Sequence, residues 1–482
     1  MRPRKITLLI FIALAGMISL AGMISLAGCA GREKPNIVFI YIDDLGWKDV
    51  GFMGSRYYET PHIDRLASQG MVFTDAYACA PNCAPSRACL LTGQYSPRHG
   101  VYTVNSSERG YRELRQLIPI PNKRELDTEF VTFAEVLKEA GYRTASVGKW
   151  HLGDDPQYGP TAQGFDVNVA GDRWGQPRTY FSPYQMSALE DGPEDEYLTD
   201  RLTDEALKFI EENQMKPFFL YLTHYAVHTP IEAKTDIARK YLRKKPDGDQ
   251  GNPVYAAMVE SMDESVGRVL EKLDELNLTE KTMVVFFSDN GGHGPVTGMD
   301  PLRGSKGMLY EGGIRVPMAV RWPGKVEPGS RSSVPVIGVD FFPTFLEIAG
   351  VEKSPDQVLD GESIVKLLQG ETALERKALF WHFPVYIQGR RKGNRDTYFR
   401  ARPMSVIRKG DWKLIEYFED GDLELFHLAE DIGETRNLAD ENSAKREELH
   451  SALVAWRKNV QAPVPTEPNP DYNPNFEPES GK

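Results

Sequence analysis

The chain has 482 residues and an ordinary composition, with 41% hydrophobic and 26% charged residues. This length exceeds what one compact core holds and predicts two domains. The 69 acidic residues outnumber the 57 basic residues, and the net charge of −12 argues against a nucleic-acid partner. An anionic substrate would therefore have to be attracted by a local group of positive side chains.

Residues 1–29 have the pattern of an export signal. A basic start precedes an apolar run, and the run ends in Leu-Ala-Gly-Cys29. This ending resembles a bacterial lipoprotein signal, which implies that Cys29 is lipidated and becomes the mature N-terminus. A plain cleaved signal peptide and an uncleaved anchor helix are the alternatives. We expect an exported protein, held by its lipid at a membrane of the periplasm or the cell surface.

Four continuous apolar runs predict strands that are buried on both faces, as in a parallel sheet. These runs are 36–42, 144–147, 218–223 and 283–288. Amphipathic helical stretches lie between them, at 133–140, 203–212 and 255–276. Strands that alternate with helices predict an α/β fold, in which helices sandwich a mostly parallel sheet.

Polar residues follow each predicted strand. They are Asp43-Asp44 after the first strand, Lys149 and His151 after the second, His224 and His228 after the third, and Asp289-Asn290 after the fourth. Ligands of such sheets bind beyond the carboxyl ends of the strands. We therefore expect four separate segments to converge on one site.

Oxygen ligands dominate two of these segments. Asp43, Asp44, Asp289 and Asn290 offer hard oxygen atoms, which suit Ca²⁺ or Mg²⁺ better than zinc. Either dipeptide alone would be more typical of a turn or a helix cap. Because each pair closes a buried strand, the combination favours a metal site.

The stretch from Cys83 to Gly93 predicts a short helix with a cysteine at its start. Pro85 fits the first turn, Gly93 fits the end, and Arg87 stands about one turn after Cys83. A helix N-terminus presents unpaired N–H groups and positive potential, so it suits an anionic reactant. The alternative is a buried helix start with a small hydrophobic cysteine.

This stretch resembles the signature of the type I sulfatases, Cys-x-Pro-Ser-Arg followed three residues later by Leu-Thr-Gly. Every fixed position is filled here, by Cys83, Pro85, Ser86, Arg87, Leu91, Thr92 and Gly93. Three further segments resemble conserved segments of that family, at 141–153, 227–230 and 302–317. The resemblance covers nearly all of the mature chain and implies an alkaline-phosphatase-like fold, with a catalytic domain over residues 30–355.

The resemblance also implies the cofactors. A sulfatase-maturing enzyme would oxidise Cys83 to formylglycine (3-oxoalanine), and the hydrated aldehyde would attack the sulfur of a sulfate ester. One Ca²⁺ would be held by Asp43, Asp44, Cys83, Asp289 and Asn290. In this interpretation the cation lowers the pKa of the aldehyde hydrate and orients a sulfate oxygen.

The same resemblance implies the catalytic roles. Lys149 and Lys306 would hold the sulfate oxygens, and Lys306 or His228 would protonate the leaving oxygen. His151 would act as the base that expels sulfate, and Arg87 would steady the hydrate. A structural role is the expectation for His99, His224 and His293.

Substrate specificity is expected from loops around the site. Arg173, Trp174 and Arg178 lie in an aromatic segment, 171–184, that suits sugar binding, although a packed surface loop is an equal alternative. This segment, with His228 and the run 197–210, resembles bacterial sulfatases that act on sulfated polysaccharides or host glycans, and we expect a sulfated galactose or N-acetylgalactosamine unit. His382 and Arg402, with Arg390 and Arg391, are candidates to reach back over the pocket. Solvated positions are the alternative, and this alternative is favoured for the adjacent Arg390 and Arg391.

A change of pattern near residue 356 predicts a smaller C-terminal α+β subdomain over 356–460. Short strands at 378–383, 404–408, 412–418 and 423–428 alternate with polar turns, which predicts an antiparallel sheet. A helix follows from Ser443 to about Lys458, with Glu447 as its capping partner. The Pro-rich tail, 461–482, predicts an extended or disordered segment unless it docks.

Two other functions fit parts of the pattern. A phosphate or phosphonate ester hydrolase would share the fold, but a cysteine at position 83 and an apparently single metal set count against it. A lipoprotein that binds glycans without catalysis would not need the nucleophile. The two remaining cysteines, Cys79 and Cys89, could pair or stay as buried thiols.

Overall fold

A computed structural model describes residues 34–478 of the chain. The predicted export signal and Cys29 lie outside these residues. Within 34–478, no helix has both the length and the hydropathy needed to cross a lipid bilayer.

The secondary structure of residues 34–478 alternates between strands and helices, numbered in chain order. The strands are β1 (Asn36–Ile42), β2 (Met71–Phe73), β3 (Ala76–Tyr77), β4 (Arg143–Gly148), β5 (Val167–Val169), β6 (Phe218–Thr223), β7 (Thr282–Ser288), β8 (Met318–Arg321), β9 (Ser330–Ser332), β10 (Val336–Ile337), β11 (Leu379–Phe383), β12 (Ile387–Gln388), β13 (Phe399–Ala401), β14 (Met404–Lys409), β15 (Trp412–Tyr417) and β16 (Leu423–His427). The α-helices are α1 (Pro61–Ser68), α2 (Cys83–Thr92), α3 (Ser96–His99), α4 (Phe133–Glu139), α5 (Leu198–Asn213), α6 (Thr235–Tyr241), α7 (Pro253–Glu275), α8 (Glu311–Ile314), α9 (Phe341–Ala349), α10 (Val365–Leu368) and α11 (Ser443–Asn459). Short 3-10 helices lie at Gly51–Met53, Arg112–Leu114, Pro160–Gln163, Thr279–Lys281 and Gly338–Asp340.

The main sheet has the strand order β5-β4-β6-β1-β7-β8-β2-β9. Strand β8 is antiparallel to both of its neighbours, β7 and β2, and the other neighbouring pairs are parallel. Strand β1 lies at the centre, where Ile37 pairs with Phe219 of β6 and with Met283 of β7. The mostly parallel α/β sheet predicted from the sequence is confirmed.

Both faces of this sheet are covered by helices, so its central strands β1, β6 and β7 are buried along their whole length and are mostly apolar. On β1, Val38 and Ile40 belong to a core shared with α5 and α7. Phe39 and Tyr41 belong to the opposite core, which includes residues of α2, α4 and α9. Here the Phe39 ring meets the edge of Phe341 at a centroid distance of 4.8 Å. Because successive side chains of a strand point to opposite faces of the sheet, β1 contributes residues to two separate cores.

The predicted C-terminal sheet is confirmed as an antiparallel sheet with the order β11-β14-β15-β16. Helix α11 packs on β14 and β15, through Leu449 and Leu453. Its N-cap is Asn442, whose side chain accepts a hydrogen bond from Lys445 N, rather than the predicted Ser443 and Glu447 pair. Helix α10 still packs into the core of the main sheet, beyond the predicted boundary at 355.

The Pro-rich tail is docked as far as the structure describes it, to residue 478. Ile118 N donates to Glu467 O, and the Asn469 side chain donates to the carbonyls of Arg112 and Arg115. These bonds pair backbone groups of residues 112–118 with the tail. The tail is thus bound to residues 111–118. Its own residues, as far as 478, form no helix or strand.

A buried group of charges joins the two sheets. Lys413 on β15 lies 2.9 Å from Glu311 of α8 and 2.8 Å from Glu434, and all three side chains are fully buried. Burial raises the pKa of Glu434 to about 7. Lys413 therefore pairs with two buried carboxylates where the C-terminal sheet meets α8, and Arg315 lies 3.3 Å from Glu311 as a second cation.

Replacing this lysine should destabilise the protein strongly. We expect Lys413→Met to lower the free energy of unfolding by about 3–5 kcal/mol, because it leaves the carboxylate of Glu434 buried without a cation. Urea unfolding followed by circular dichroism measures the change. The control is Lys409→Met, which removes an exposed pair with Glu448 and should cost at most about 1 kcal/mol. Equal stability of the two variants would contradict this account.

Candidate active site

The functional side chains project from the carboxyl ends of four adjacent strands. Asp43 and Asp44 follow β1, Lys149 and His151 follow β4, His228 follows β6, and Asp289 and Asn290 follow β7. The order β4-β6-β1-β7 makes these four strands neighbours. Two further segments complete the site: Cys83 begins α2, and Lys306 lies in the loop before α8.

Backbone geometry at the end of β4 directs Lys149 into the site. Gly148 has a φ of 108°, and a Cβ there would lie 1.9 Å from the carbonyl oxygen of Thr223. Only glycine therefore allows β4 to approach β6 so closely. Asp44 and His151 have positive φ values of 63° and 67°, a strained conformation that is concentrated at functional sites.

Cys83 lies at the base of the cleft, with only 1% of its surface exposed. Its Sγ is 3.5 Å from Asp43 Oδ1 and receives a hydrogen bond from Lys306 Nζ at 3.3 Å. Burial raises the pKa of the thiol, but Lys149 and Lys306 outweigh burial and lower the pKa to about 6. The helix it begins ends as predicted, at Gly93 with a φ of 66°. This position is therefore built to favour an anion.

Three buried carboxylates surround Cys83, and each pairs with one cation. Lys149 Nζ lies 2.5 Å from Asp43, and Lys306 Nζ donates to Asp44 at 2.8 Å. The side chain of Arg87 donates to Asp289 from Nε at 3.1 Å and from Nη2 at 2.9 Å. Burial, and then the charge of Asp43, raise the pKa of Asp289 to about 6. The carboxylates are thus close enough to repel one another.

This cluster fits a hard divalent cation. Asp43, Asp44, Cys83 and His228 offer ligand atoms that all lie within 4.8 Å of one another. Beside them, Asn290 Oδ1 is buried and accepts no hydrogen bond from residues 34–478. An orphaned amide oxygen next to repelling carboxylates is a donor set that Ca²⁺ or Mg²⁺ would satisfy.

Two histidines face the cleft with distinct surroundings. His228 Nε2 lies 3.6 Å from Asp44, while its Nδ1 lies 2.9 Å from the carbonyl oxygen of Thr229. His151 is nearly buried, and burial together with the charge of Lys149 holds its pKa well below the ordinary value. His151 is therefore a neutral imidazole near pH 7, able to accept a proton.

A cleft of about 550 Å³ opens above Cys83. His151, His228, Lys306, Arg173 and Trp174 line it. Other residues that line it lie in loops and in the short strands β12 and β13: Thr103, Asn105, Arg109, Arg124, Glu125, Gln176, His293, Ile387 and Arg400. The Trp174 side chain is 63% exposed, which is unusual for a tryptophan outside a binding surface.

Three residues predicted to bind substrate do not line this cleft. Arg178 is exposed and donates to Gln185. His382 is buried in β11, with its ring nitrogens bonded to Ser405 and to the carbonyl of Pro463. Arg402 pairs with Asp396 and Glu419 beside a separate small cavity. The partners of His382 come from other parts of the sequence, whereas Arg178 and Arg402 each have a partner within seven residues.

The sequence analysis missed Arg109, Arg124 and Arg400 as cleft residues. They lie in loops and in the short strand β13, where the sequence has no hydrophobic period that would indicate which side chains face the cleft. His293 also lines the cleft, whereas His224 is buried against Ser265 and has a structural position. Cys79 and Cys89 are buried free thiols in this structure.

The fold and the site agree with the known proteins that the chain resembles. Residues 35–351 match the family described as Sulfatase, and residues 304–459 match the family described as N-sulphoglucosamine sulphohydrolase, C-terminal. The chain belongs to the sulfatase family. It is therefore a hydrolase of sulfuric esters.

Similar proteins match this sulfatase over most of their length. A protein described as a sulfatase from Formosa agariphila is 36% identical, over 90% of both chains. The N-acetylgalactosamine-6-sulfatase of Homo sapiens is 31% identical, over 90% of this chain and 87% of that protein. The crystal structure of Ps i-CgsB is 32% identical with a TM-score of 0.73, over 92% of this chain and 94% of that chain.

The cation site can be tested without an activity assay. We expect Asn290→Ala to weaken calcium binding on the order of tenfold or more, because an oxygen ligand is lost. Calorimetric titration of chelator-treated protein with CaCl₂ measures the affinity. The control is Asn213→Ala, since the Asn213 amide bonds only to a carbonyl of its own helix. Equal affinities of the two variants would place the cation elsewhere.

Proposed function

We propose that this sulfatase hydrolyses a sulfate ester of a carbohydrate, with formylglycine at position 83 and one Ca²⁺. The observation that carries the proposal is the position of Cys83 at the base of a cleft, 3.5 Å from Asp43 and 3.3 Å from Lys306. The nucleophile and the groups that would stabilise a sulfuryl transition state are thus in contact.

The bound groups would supply two functions that the side chains lack. The hydrated aldehyde of formylglycine would provide the hydroxyl that attacks sulfur. The calcium ion, held by Asp43, Asp44, Asp289, Asn290 and residue 83, would lower the pKa of that hydroxyl and offset charge on the sulfate.

The two lysines would hold the sulfate oxygens. Lys149 and Lys306 are fixed in place by Asp43 and Asp44, so their charges need no reorganisation as negative charge develops in the transition state. Asp43, Asp44 and Asp289 balance the charges of Lys149, Lys306 and Arg87. A divalent cation therefore leaves the site positive, which suits an anionic ester.

The histidines would move the protons. Because Nδ1 of His228 is engaged by Thr229, its Nε2 is the atom that faces the site and would protonate the leaving oxygen. Neutral His151 would accept the proton of the remaining hydroxyl at position 83, and loss of that proton would expel sulfate. Arg87 is bonded to Asp289, Thr223 and the carbonyl of Lys149, so we assign it a positioning role instead of contact with the hydrate.

A carbohydrate substrate is supported by the cleft and by similar proteins. The exposed ring of Trp174 offers an apolar face beside polar groups, an arrangement that suits a sugar. A relative that is 32% identical was solved in complex with k-i-k-neocarrahexaose. The human relative, at 31% identity, is described as N-acetylgalactosamine-6-sulfatase. Together, that description and the saccharide complex support a galactose or N-acetylgalactosamine unit as the substrate.

The proposal includes two events before catalysis. A sulfatase-maturing enzyme would oxidise Cys83, and export with lipidation at Cys29 would anchor the protein to a membrane.

A phosphonate monoester hydrolase shares the fold at 20% identity, but that likeness extends to the fold alone. Within residues 34–478 there is one cluster of potential metal ligands, as expected for a single cation.

Loss of the nucleophile should abolish turnover. We expect Cys83→Ala to lower kcat by at least about 10⁴-fold, measured as sulfate released from a panel of sulfated saccharides. Thermal unfolding and peptide mass spectrometry across position 83 establish folding and maturation.

The control for this variant is Cys89→Ala, a buried thiol of the same helix that does not line the cleft. Unchanged turnover in Cys83→Ala would defeat the proposal. A large preference for aryl phosphate over aryl sulfate would indicate the phosphoesterase alternative.

Removal of the exposed tryptophan should affect binding more than chemistry. We expect Trp174→Ala to raise KM for the saccharide roughly tenfold, since aromatic contacts contribute about 0.5–1.5 kcal/mol beyond area burial. The value of kcat should change little. Tyr472→Ala removes an exposed aromatic of the tail and serves as the control. A selective loss of kcat would contradict a binding role.

A further inference from the structure

Three arginines near the mouth of the cleft lack a carboxylate partner. Within residues 34–478, Arg109, Arg391 and Arg400 donate only to neutral acceptors. Arg109 Nε donates to the side-chain oxygen of Gln388 at 3.0 Å, and Arg391 Nη1 donates to the carbonyl of Arg390 at 2.8 Å. Arg400 reaches the carbonyls of Gln388 and Lys306 at 3.4 Å. Their charges are therefore uncompensated in a chain whose net charge is −12.

These guanidinium groups lie close together. The point where a Cβ would stand on Gly389 is 3.9 Å from Arg391 Nη1 and 3.9 Å from Arg400 Nη2. Gln388 contacts both Arg109 and Arg400, through its side chain and its carbonyl. Burial, and then the charges of Arg391 and Arg109, lower the pKa of Arg400 to about 10. The cluster is thus repulsive in the absence of an anion.

Two other arginines in the same segment are paired with carboxylates. Arg402 pairs with Asp396 and Glu419, and Arg395 pairs with Asp420 and Asp422. Acidic residues are therefore available nearby. They pair with arginines that line a separate small cavity and not the cleft.

The cluster adjoins the proposed reaction centre. Arg109 and Arg400 line the same cleft as Cys83 and Lys306, and Arg400 Nη1 contacts the backbone carbonyl of Lys306. Among the residues that line the cleft, Glu125 carries a negative charge, whereas four arginines and Lys306 carry positive charges. A second anion there would lie beside the ester that is cleaved.

We propose that Arg109 and Arg400, supported by Arg391, form a subsite for a second anionic group on the same saccharide. The preferred substrate then carries, besides the cleaved sulfate, another sulfate or a uronate carboxylate. Guanidinium groups suit both because they donate paired hydrogen bonds to planar or tetrahedral oxyanions. This inference rests on the proposed sulfatase activity toward carbohydrates for its physiological meaning, but its binding test does not need turnover.

The test compares three disaccharides that differ only in the second group. One carries a single sulfate, one a second sulfate, and one a uronate carboxylate. For the Arg109→Gln/Arg400→Gln double variant, we expect the kcat/KM preference for a doubly anionic probe over the monosulfated probe to fall about tenfold or more. Whichever doubly anionic probe loses the larger preference identifies the second group.

The control removes the same charge elsewhere. Arg239→Gln/Arg243→Gln changes two exposed arginines at the end of α6 that do not line the cleft, and it should keep the preference. Wild-type preference in the Arg109/Arg400 variant would overturn the inference. An equal loss for all three probes would overturn it as well, since this indicates a general effect of charge or folding.

Binding separates this inference from the proposed function. Calorimetry on Cys83→Ala, with and without the Arg109/Arg400 changes, gives Kd for each probe without hydrolysis. If no probe is hydrolysed but the binding preference exists and depends on the two arginines, the proposed function fails and the subsite stands. If all three probes are hydrolysed with equal kcat/KM and bound with equal Kd, the subsite is disproved and the proposed function stands.

Discussion

Three buried carboxylates at one edge of a parallel sheet are the constraint on which this structure depends. Asp43, Asp44 and Asp289 are fully buried and close together, a state that costs several kcal/mol per charge unless each is compensated. The compensation comes from Arg87, Lys149 and Lys306, which belong to three separate segments. The requirement to neutralise these carboxylates therefore brings the cations to the position where an anionic ester would react.

The same compensation links the catalytic site to the rest of the fold. The loop that carries Lys306 is held on both sides by backbone bonds, from Lys306 N to the carbonyl of Gly292 and from Gly307 N to the carbonyl of Pro81. Farther along, Glu311 of α8 is fixed by Lys413 of the C-terminal sheet. Changes in that sheet can therefore affect the position of Lys306.

The C-terminal subdomain also shapes the cleft directly. Ile387 and Arg400, from its short strands, complete a wall that the main sheet does not provide. Chemistry and specificity thus have different origins. Groups that would act on sulfur follow the central strands, while groups that would select the saccharide come from loops and from the smaller subdomain.

From the sequence alone, four central strands, their parallel direction and the residues that follow them could be predicted, because hydrophobic period and chain direction are local properties. Strands β1 and β6 and the start of α2 at Cys83 have the predicted bounds. Which further arginines face the cleft depends on tertiary contacts. His382 is bonded to Pro463 and Arg402 is paired with Glu419, while Arg109 and Arg400 have no carboxylate partner within residues 34–478, and contacts between separate segments leave no periodic signal in the chain.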